Sequence, residues 1–259
     1  MPETNLYRAQ WDSYVKQWRG QPAPDGSGTE RTWPGDEWGH ERVWTRVFQV
    51  LFADGGVHEW RHCVEIGAGS GKYTERVLRS SQASVIAFDI SSEFLAILKQ
   101  RLSADVASGR IDPVVIQGQQ PSELFKYIEK KQLVRQLDAF YSIDAMVHVD
   151  LQYLIAYILT AALTLKQNGR LLLTLANAVS DRGFAHLMRS IKPIYPRQGL
   201  PSSKFEFLSP EIVRDVLGRL GFTVELLTPF ASVQLERDLY VRATLTDLAP
   251  GESFREALF

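Results

Sequence analysis

The sequence has little of what marks secreted, membrane-spanning or nucleic-acid-binding proteins. Its single cysteine, Cys63, excludes an internal disulfide and favours a reducing compartment. It has no apolar run near the roughly 18 residues needed to cross a bilayer. Its 29 Lys and Arg residues nearly balance its 30 Asp and Glu residues, so no net charge attracts nucleic acid or an anionic membrane. We therefore expect a cytoplasmic protein that binds neither membranes nor nucleic acid.

What the chain does contain is a globular composition, with 45% apolar and 23% charged residues. Near its beginning, Tyr7, Trp11, Tyr14 and Trp18 recur at helical spacing in a segment rich in Trp, Gly and Pro. The pattern predicts an aromatic, helical N-terminal extension that acts as a lid. The predicted regions are this extension over 1–59, a core domain over 60–247 with an insertion at 178–207, and a tail over 248–259.

From residue 62 onward, short apolar runs alternate with amphipathic stretches, which is typical of βαβ units around a parallel sheet. Strands are predicted at Cys63–Ile66, Val85–Asp89, Pro113–Gln117, Ala139–Ile143, Arg170–Leu175, Phe222–Leu227 and Leu239–Leu245. The short connection before the last strand predicts an antiparallel hairpin. We therefore predict a Rossmann-like α/β fold with a seven-stranded, mostly parallel sheet, an antiparallel last strand and helices on both faces. The ligand should lie over the carboxyl ends of the strands, where the strand order reverses.

A glycine-rich turn, Glu65-Ile66-Gly67-Ala68-Gly69-Ser70-Gly71, directly follows the first predicted strand. Glycines permit a tight turn and a close approach of a ligand to the backbone. Lys72 stands where a dinucleotide-binding turn has its third glycine, and Tyr73 stands where a nucleoside triphosphate loop needs Ser or Thr. This spacing disfavours both cofactor classes, although a plain strand-to-helix turn stays open.

The second predicted strand ends at Asp89, which lies 22 residues after Gly67. A carboxylate at the tip of the adjacent strand is placed to accept hydrogen bonds from the hydroxyls of a ribose. The glycine turn and Asp89 together predict a ligand that contains a nucleoside.

Four segments in succession, EIGAGSGKYTERVL, AFDIS, DAFYSIDAMVHV and LKQNGRLLLTLAN, resemble the motifs of class I S-adenosylmethionine-dependent methyltransferases over roughly residues 60 to 245. The resemblance implies that S-adenosylmethionine is the cofactor and S-adenosylhomocysteine the product. It also implies that Glu65 orients the loop and the cofactor's amino group through water, that Asp89 binds the ribose and that the carbonyl of Ser142 accepts from the ammonium. Gln119 or Gln120 would lie near the adenine, where many family members have an acidic residue. The residues expected to bind the cofactor are Glu65, Gly67, Ala68, Gly69, Gly71, Tyr73, Asp89, Ile90, Gln119, Gln120 and Ser142.

The candidate catalytic residues, His148 and Asp144, follow the fourth predicted strand. A histidine is well matched to take the proton that a hydroxyl acceptor loses as it attacks a methyl group. His148 could instead cap the next helix. Asp144 could bind the acceptor, orient His148 or stabilise the start of that helix.

A catalytic metal is not favoured. Some related O-methyltransferases hold Mg²⁺ with carboxylates after the fourth and fifth strands, and Asp144, Asp150 and Asp181 are the available oxygen ligands here. No spacing in the sequence is diagnostic of a metal site.

The leading hypothesis is O-methylation of a small hydroxylated acceptor, such as a sugar or a secondary metabolite. The insertion at 178–207, with His186, Arg189 and Phe205, would form a second lid on the acceptor side. The alternatives are an N-methyltransferase of a small amine and a regulatory protein that binds S-adenosylmethionine without catalysis. The stretch from Asn177 to Val179 differs from the Asn-Pro-Pro-aromatic motif of amino-methylating nucleic-acid enzymes.

Overall fold

The computed structural model describes residues 6–18, 21–22, 30–31, 33–39, 41–116, 121–194, 205–228 and 238–259. Its main sheet contains seven long strands: β1 His62–Ile66, β2 Ser84–Asp89, β3 Ile111–Val115, β4 Leu137–Ser142, β5 Leu165–Asn177, β6 Phe222–Thr228 and β7 Leu239–Leu245. A two-residue strand, Phe207–Leu208, pairs in parallel with the end of β5. A separate antiparallel pair joins Gln21–Pro22 to Glu30–Arg31.

The strand order in the sheet is β3-β2-β1-β4-β5-β7-β6. Strands β1 to β5 run parallel, whereas β7 pairs antiparallel with both β5 and β6. The order reverses between β1 and β4, which opens a crevice at their carboxyl ends. The predicted fold class and the antiparallel last strand are confirmed.

Ten α-helices flank the sheet in the described part of the chain: α1 Leu6–Gln17, α2 Glu41–Phe48, α3 Lys72–Ser80, α4 Ser92–Arg101, α5 Ser103–Ala107, α6 Pro121–Lys130, α7 Leu151–Thr164, α8 Asp181–Ile194, α9 Pro210–Arg219 and α10 Ala249–Ser253. The helix α2 runs on into a π-helical turn, Gln49–Ala53. None of the helices described is long and apolar enough to span a membrane.

Alternation along the strands divides the core into two apolar layers. In β1, Val64 and Ile66 pack with α6, α7 and α9 on one face of the sheet, whereas Cys63 packs with α2, α3 and α4 on the other. Successive side chains of a strand point to opposite faces, so the parallel strands, covered on both sides, are apolar almost throughout. This is why the sequence shows them as short continuous apolar runs.

The third strand begins and ends two residues earlier than predicted, over Ile111–Val115. It lies at the edge of the sheet and contains Pro113 in its middle. A proline has no N–H to donate to a second neighbour, and an edge strand has only one neighbour, so Pro113 is tolerated inside β3. The prediction placed the start of this strand at Pro113, so both predicted ends lie two residues too far along the chain.

Gly221, which follows α9, tests how closely this turn packs against the residues that follow β7. Gly221 has φ +87°, and a Cβ there would lie 1.9 Å from the carbonyl oxygen of Asp247. We expect Gly221→Ala to lower the free energy of unfolding by about 1–3 kcal/mol, because strain and overlap add. Gly218→Ala, three residues earlier in open space within α9, should raise it by about 0.5–1 kcal/mol. Urea denaturation measures both, and equal shifts in one direction would contradict this account.

Candidate functional site

The glycine turn after β1 sits directly against the segment that follows β4. Gly67, Gly69 and Gly71 all have positive φ angles, of 70°, 54° and 86°. At Gly67 a Cβ would lie only 2.2 Å from the Cβ of Ala145. A side chain at Gly67 would therefore collide with Ala145. It would push the two segments apart and fill the space between them.

Asp89, the last residue of β2, is bound to the same turn. Its two carboxylate oxygens accept hydrogen bonds from the backbone N–H groups of Gly69 and Ser91, both at 2.8 Å. Burial raises the pKa of Asp89 to about 6, against the lowering effect of these N–H groups. Each carboxylate oxygen has a second lone pair, so Asp89 can also accept from a ligand's hydroxyls.

Glu65, in β1, lies beneath the turn and is buried. Its Oε2 atom accepts from the hydroxyls of Thr74, at 2.5 Å, and of Tyr141, at 3.2 Å. Burial raises the pKa of Glu65 to about 8, and these two hydrogen bonds only partly oppose the rise. The cavity therefore contains a carboxyl group that is largely protonated at neutral pH until a positive charge approaches.

Beyond β4 the chain turns sharply at Asp144, which has φ 65° and whose N–H donates to the hydroxyl of Thr174 at 2.7 Å. His148 ends the short helical turn Met146–His148 that follows. The residue that caps α7 is Asp150, whose carboxylate accepts from the N–H of Tyr153 at 3.2 Å. The capping role that the sequence left open for His148 thus belongs to Asp150.

The N-terminal helix α1 packs on the start of α4. The Oδ1 atom of Asp12 accepts from the hydroxyl of Ser91, at 2.6 Å, and from the N–H of Glu93, at 3.3 Å. Beside it, the ring of Trp11 lies 5.3 Å from that of His148, measured between centroids. Ser91 therefore connects α1 to Asp89, since its N–H binds Asp89 and its hydroxyl binds Asp12.

A second N-terminal segment, 33–39, is fixed to α3 and α4. The ammonium of Lys72 donates to the carbonyl of Gly35 at 2.7 Å and lies 4.6 Å above the ring of Trp44. Asp36 forms an ion pair with Arg101 at 3.3 Å. This segment closes the side of the crevice next to the glycine turn.

These segments enclose one cavity of about 150 Å³ that opens to solvent. The predicted residues that line it are Glu65, Gly67, Ala68, Gly69, Tyr73, Asp89, Ile90, Asp144 and His148. Gly71 lies behind the turn as the N-cap of α3, and the hydroxyl of Ser142 donates to the carbonyl of Ile66 at 2.8 Å. Neither belongs to the lining. Gln119 and Gln120 lie outside the described residues.

The lining also includes residues to which the sequence assigned no individual role. Tyr7, Trp11, Trp38 and Trp44 come from the N-terminal segments, and Phe94, Ile116 and Tyr157 from the core. The helical spacing of Tyr7 and Trp11 was a usable signal, because it places them on one face of α1. No local pattern distinguishes Phe94 or Tyr157 from ordinary core residues.

The three carboxylates proposed for magnesium are not brought together. Asp150 caps α7, and Asp181 lies in the first turn of α8. Within the described ranges, no group of three or more His, Cys, Asp or Glu side chains has the arrangement of a metal site.

Comparisons with known proteins agree with this geometry. Residues 64–173 match a family model described as a methyltransferase domain. A search of curated proteins found no match. Among solved structures, the magnesium protoporphyrin IX methyltransferase of Synechocystis PCC 6803, with bound S-adenosylhomocysteine, is 20% identical over 78% of this chain and 81% of its own, with a TM-score of 0.53.

Two further structures have the same fold at lower identity. An S-adenosylmethionine-dependent methyltransferase from Mesorhizobium loti is 16% identical over 78% of this chain and 96% of its own, with a TM-score of 0.54. The phosphoethanolamine N-methyltransferase 2 of Haemonchus contortus is 14% identical over 78% of this chain and 52% of its own, with a TM-score of 0.53.

The strand order, the glycine turn and the carboxylate at the end of β2 define a methyltransferase-type α/β protein. With the domain match, these features confirm the resemblance seen in the sequence. Residues 64–173 match a methyltransferase domain, and the fold as a whole is that of S-adenosylmethionine-dependent methyltransferases.

The raised pKa values of Glu65 and Asp89 predict how stability depends on pH. Glu65 titrates near its ordinary value of 4.5 in the unfolded chain but near 8 in the folded one, so the folded state binds more protons between these values. The free energy of unfolding of the ligand-free protein should therefore fall as pH rises through this window. Glu65→Gln removes the group and should flatten the decline in melting temperature between about pH 5 and pH 8.

The control for this experiment is Glu59→Gln, since the side chain of Glu59 is 79% exposed. The melting temperature of this variant should decline with pH as steeply as that of the wild type. A slope that is the same in Glu65→Gln as in the wild type would show that Glu65 does not titrate differently in the folded protein.

Proposed function

We propose that this protein transfers the methyl group of S-adenosylmethionine to a hydroxyl group of a small molecule, with His148 as the general base. The observation that carries the proposal is that one cavity contains the glycine turn, Asp89 and His148. The first two are what a nucleoside-containing ligand needs, and the third is what a hydroxyl acceptor needs.

The described residues fit S-adenosylmethionine. Asp89 has the lone pairs to accept from both ribose hydroxyls, and the turn at Gly67 and Gly69 leaves room for the methionine part. Glu65 offers a buried carboxyl group whose ionisation a cationic ligand favours. When bound, the cofactor supplies a methyl group on a sulfonium, which is a good leaving centre.

The acceptor oxygen must lose its proton as it attacks the methyl carbon. In the proposed mechanism the imidazole of His148 takes this proton and later returns it to solvent. Asp144 either binds the acceptor or orients the imidazole, and the left-handed backbone of Asp144 fixes the loop that carries His148. Most of the rate comes from holding the acceptor in line, so the residues that shape the cavity matter as much as the base.

Calorimetric titration with S-adenosylmethionine, S-adenosylhomocysteine and NADH tests the cofactor. We expect the first two to bind and Asp89→Ala to weaken both by more than tenfold, because a charge-assisted pair of hydrogen bonds to the ribose is lost. Asp105→Ala is the matched control, since Asp105 lies in α5 and pairs with Arg110 outside the cavity. Binding of NADH alone would overturn the proposed function.

Substitution of His148 tests the base once an acceptor is in hand. We expect His148→Gln to lower kcat by about a hundredfold or more, because loss of a general base typically costs 10²–10⁴ in rate. The control is His186→Gln, which changes a second histidine in the same row of rings that is not part of the lining. Unchanged kcat in His148→Gln would remove the base from the mechanism and favour transfer to an amine, which needs alignment more than a base.

A further inference from the structure

We infer that the acceptor is a flat aromatic compound with a hydroxyl group and without negative charge, such as a phenol or a fused-ring analogue, held against the indole of Trp11. The inference rests on the proposed function, since it names the substrate class of the same cavity.

Trp11 connects the cofactor side of the cavity with His148. Its ring lies 6.3 Å from that of Phe94 and 5.3 Å from that of His148, between centroids. Phe94 in turn lies within 3.8 Å of the position that a Cβ at Gly69 would occupy, beside the glycine turn. A molecule placed between the turn and His148 therefore lies along the indole of Trp11.

Rings also flank His148 on a second side. Phe205 lies 5.2 Å from His148, and His186 lies 4.8 Å from Phe205. Imidazole, phenyl and indole rings thus form a continuous row from α8 to α1. Phe205 and His186 lie outside the cavity lining and pack behind His148, whereas the indole of Trp11 lines the cavity. An aromatic face of this kind favours flat ligands, because offset-stacked and edge-to-face contacts add to the burial of apolar area.

The charges of the cavity disfavour an anionic acceptor. Asp89 and Asp144 are the acidic residues of its lining besides Glu65, which is largely protonated in the ligand-free protein, and Lys72 is the only Lys or Arg among the lining residues that are described. The ammonium of Lys72 already contacts the carbonyl of Gly35 and lies 3.8 Å from Asp36. A carboxylate or phosphate on the acceptor would meet like charge and lose its hydration.

Few polar side chains line the acceptor end of the cavity in the described part of the chain. With Glu65 and Asp89 assigned to the cofactor, those at the end formed by α1 and the segment after β4 are Tyr7, Asp144, His148 and the indole N–H of Trp11. A buried sugar needs a partner for nearly every hydroxyl, and each one left without a partner costs free energy. A phenol needs partners for one hydroxyl only, and the remainder of its surface is satisfied by rings.

The test uses full-length protein saturated with S-adenosylhomocysteine, so that binding is measured without turnover. The probes are naphthol, hydroxynaphthoate, methyl glucoside and naphthylmethylamine, each titrated by calorimetry. We expect saturable binding of naphthol and at least tenfold weaker binding of the other three. Trp11→Leu should weaken the binding of naphthol by about fivefold. Leucine keeps apolar bulk at this position but removes the aromatic face.

The matched control is Trp18→Leu. Trp18 directly follows α1 and packs on Tyr14, with ring centroids 6.2 Å apart, but is not part of the cavity lining. Its replacement should change the affinity for naphthol by less than twofold. Melting temperatures of both variants show whether either has lost its fold.

The outcomes separate this inference from the proposed function. Absence of S-adenosylhomocysteine binding would overturn both. Binding of S-adenosylhomocysteine without binding of naphthol, or with equal loss in the two tryptophan variants, would overturn the inference alone. Tighter binding of hydroxynaphthoate, methyl glucoside or naphthylmethylamine than of naphthol would also overturn it and would indicate an anionic, polyhydroxylated or cationic acceptor respectively.

Discussion

A single buried carboxylate, Asp89, joins the segments from which the site is built. It accepts hydrogen bonds from Gly69 in the turn after β1 and from Ser91 at the start of α4. The hydroxyl of Ser91 donates in turn to Asp12 of the N-terminal helix. Because each bond involves a charged group removed from water, the loss of a partner is costly. Asp89 therefore joins the turn to the start of α4, and Ser91 extends this connection to the N-terminal helix.

Burial of Asp89 and Glu65 makes the ionised form of both carboxyl groups less favourable when no ligand is bound. The pKa of Asp89 is raised to about 6 and that of Glu65 to about 8, both chiefly by burial. A cationic ligand reduces this cost, because a nearby positive charge favours the ionised carboxylates. Groups with strongly shifted pKa values are concentrated at functional sites, where binding rather than folding compensates for their burial. Burial of these two carboxyl groups thus favours the binding of a cationic ligand and lowers the stability of the ligand-free protein.

The sequence predicted the sheet, and the glycine turn beside the carboxylate that ends β2, because both depend on local patterns. Parallel strands covered on two faces appear as apolar runs, and the glycine turn has a characteristic spacing. The packing of α1 beside His148 depends instead on contacts between distant residues. Asp12 and Ser91 are 79 positions apart, and no periodicity shows that α1 docks on α4 through this pair. The spacing of Tyr7 and Trp11 predicted a helix with one aromatic face, but not which surface it covers.

The N-terminal segments are attached to the core at points away from the rings of α1 that line the cavity. Asp12 binds at the start of α4, Gly35 binds Lys72 at the start of α3, and Asp36 pairs with Arg101 in α4. All three anchors on the core thus belong to the two helices that follow β1 and β2. The rings of Tyr7 and Trp11, which line the cavity near His148, lie on α1 and outside these two helices. A change in those rings leaves the glycine turn and Asp89 untouched, so the acceptor can change while the cofactor site is kept.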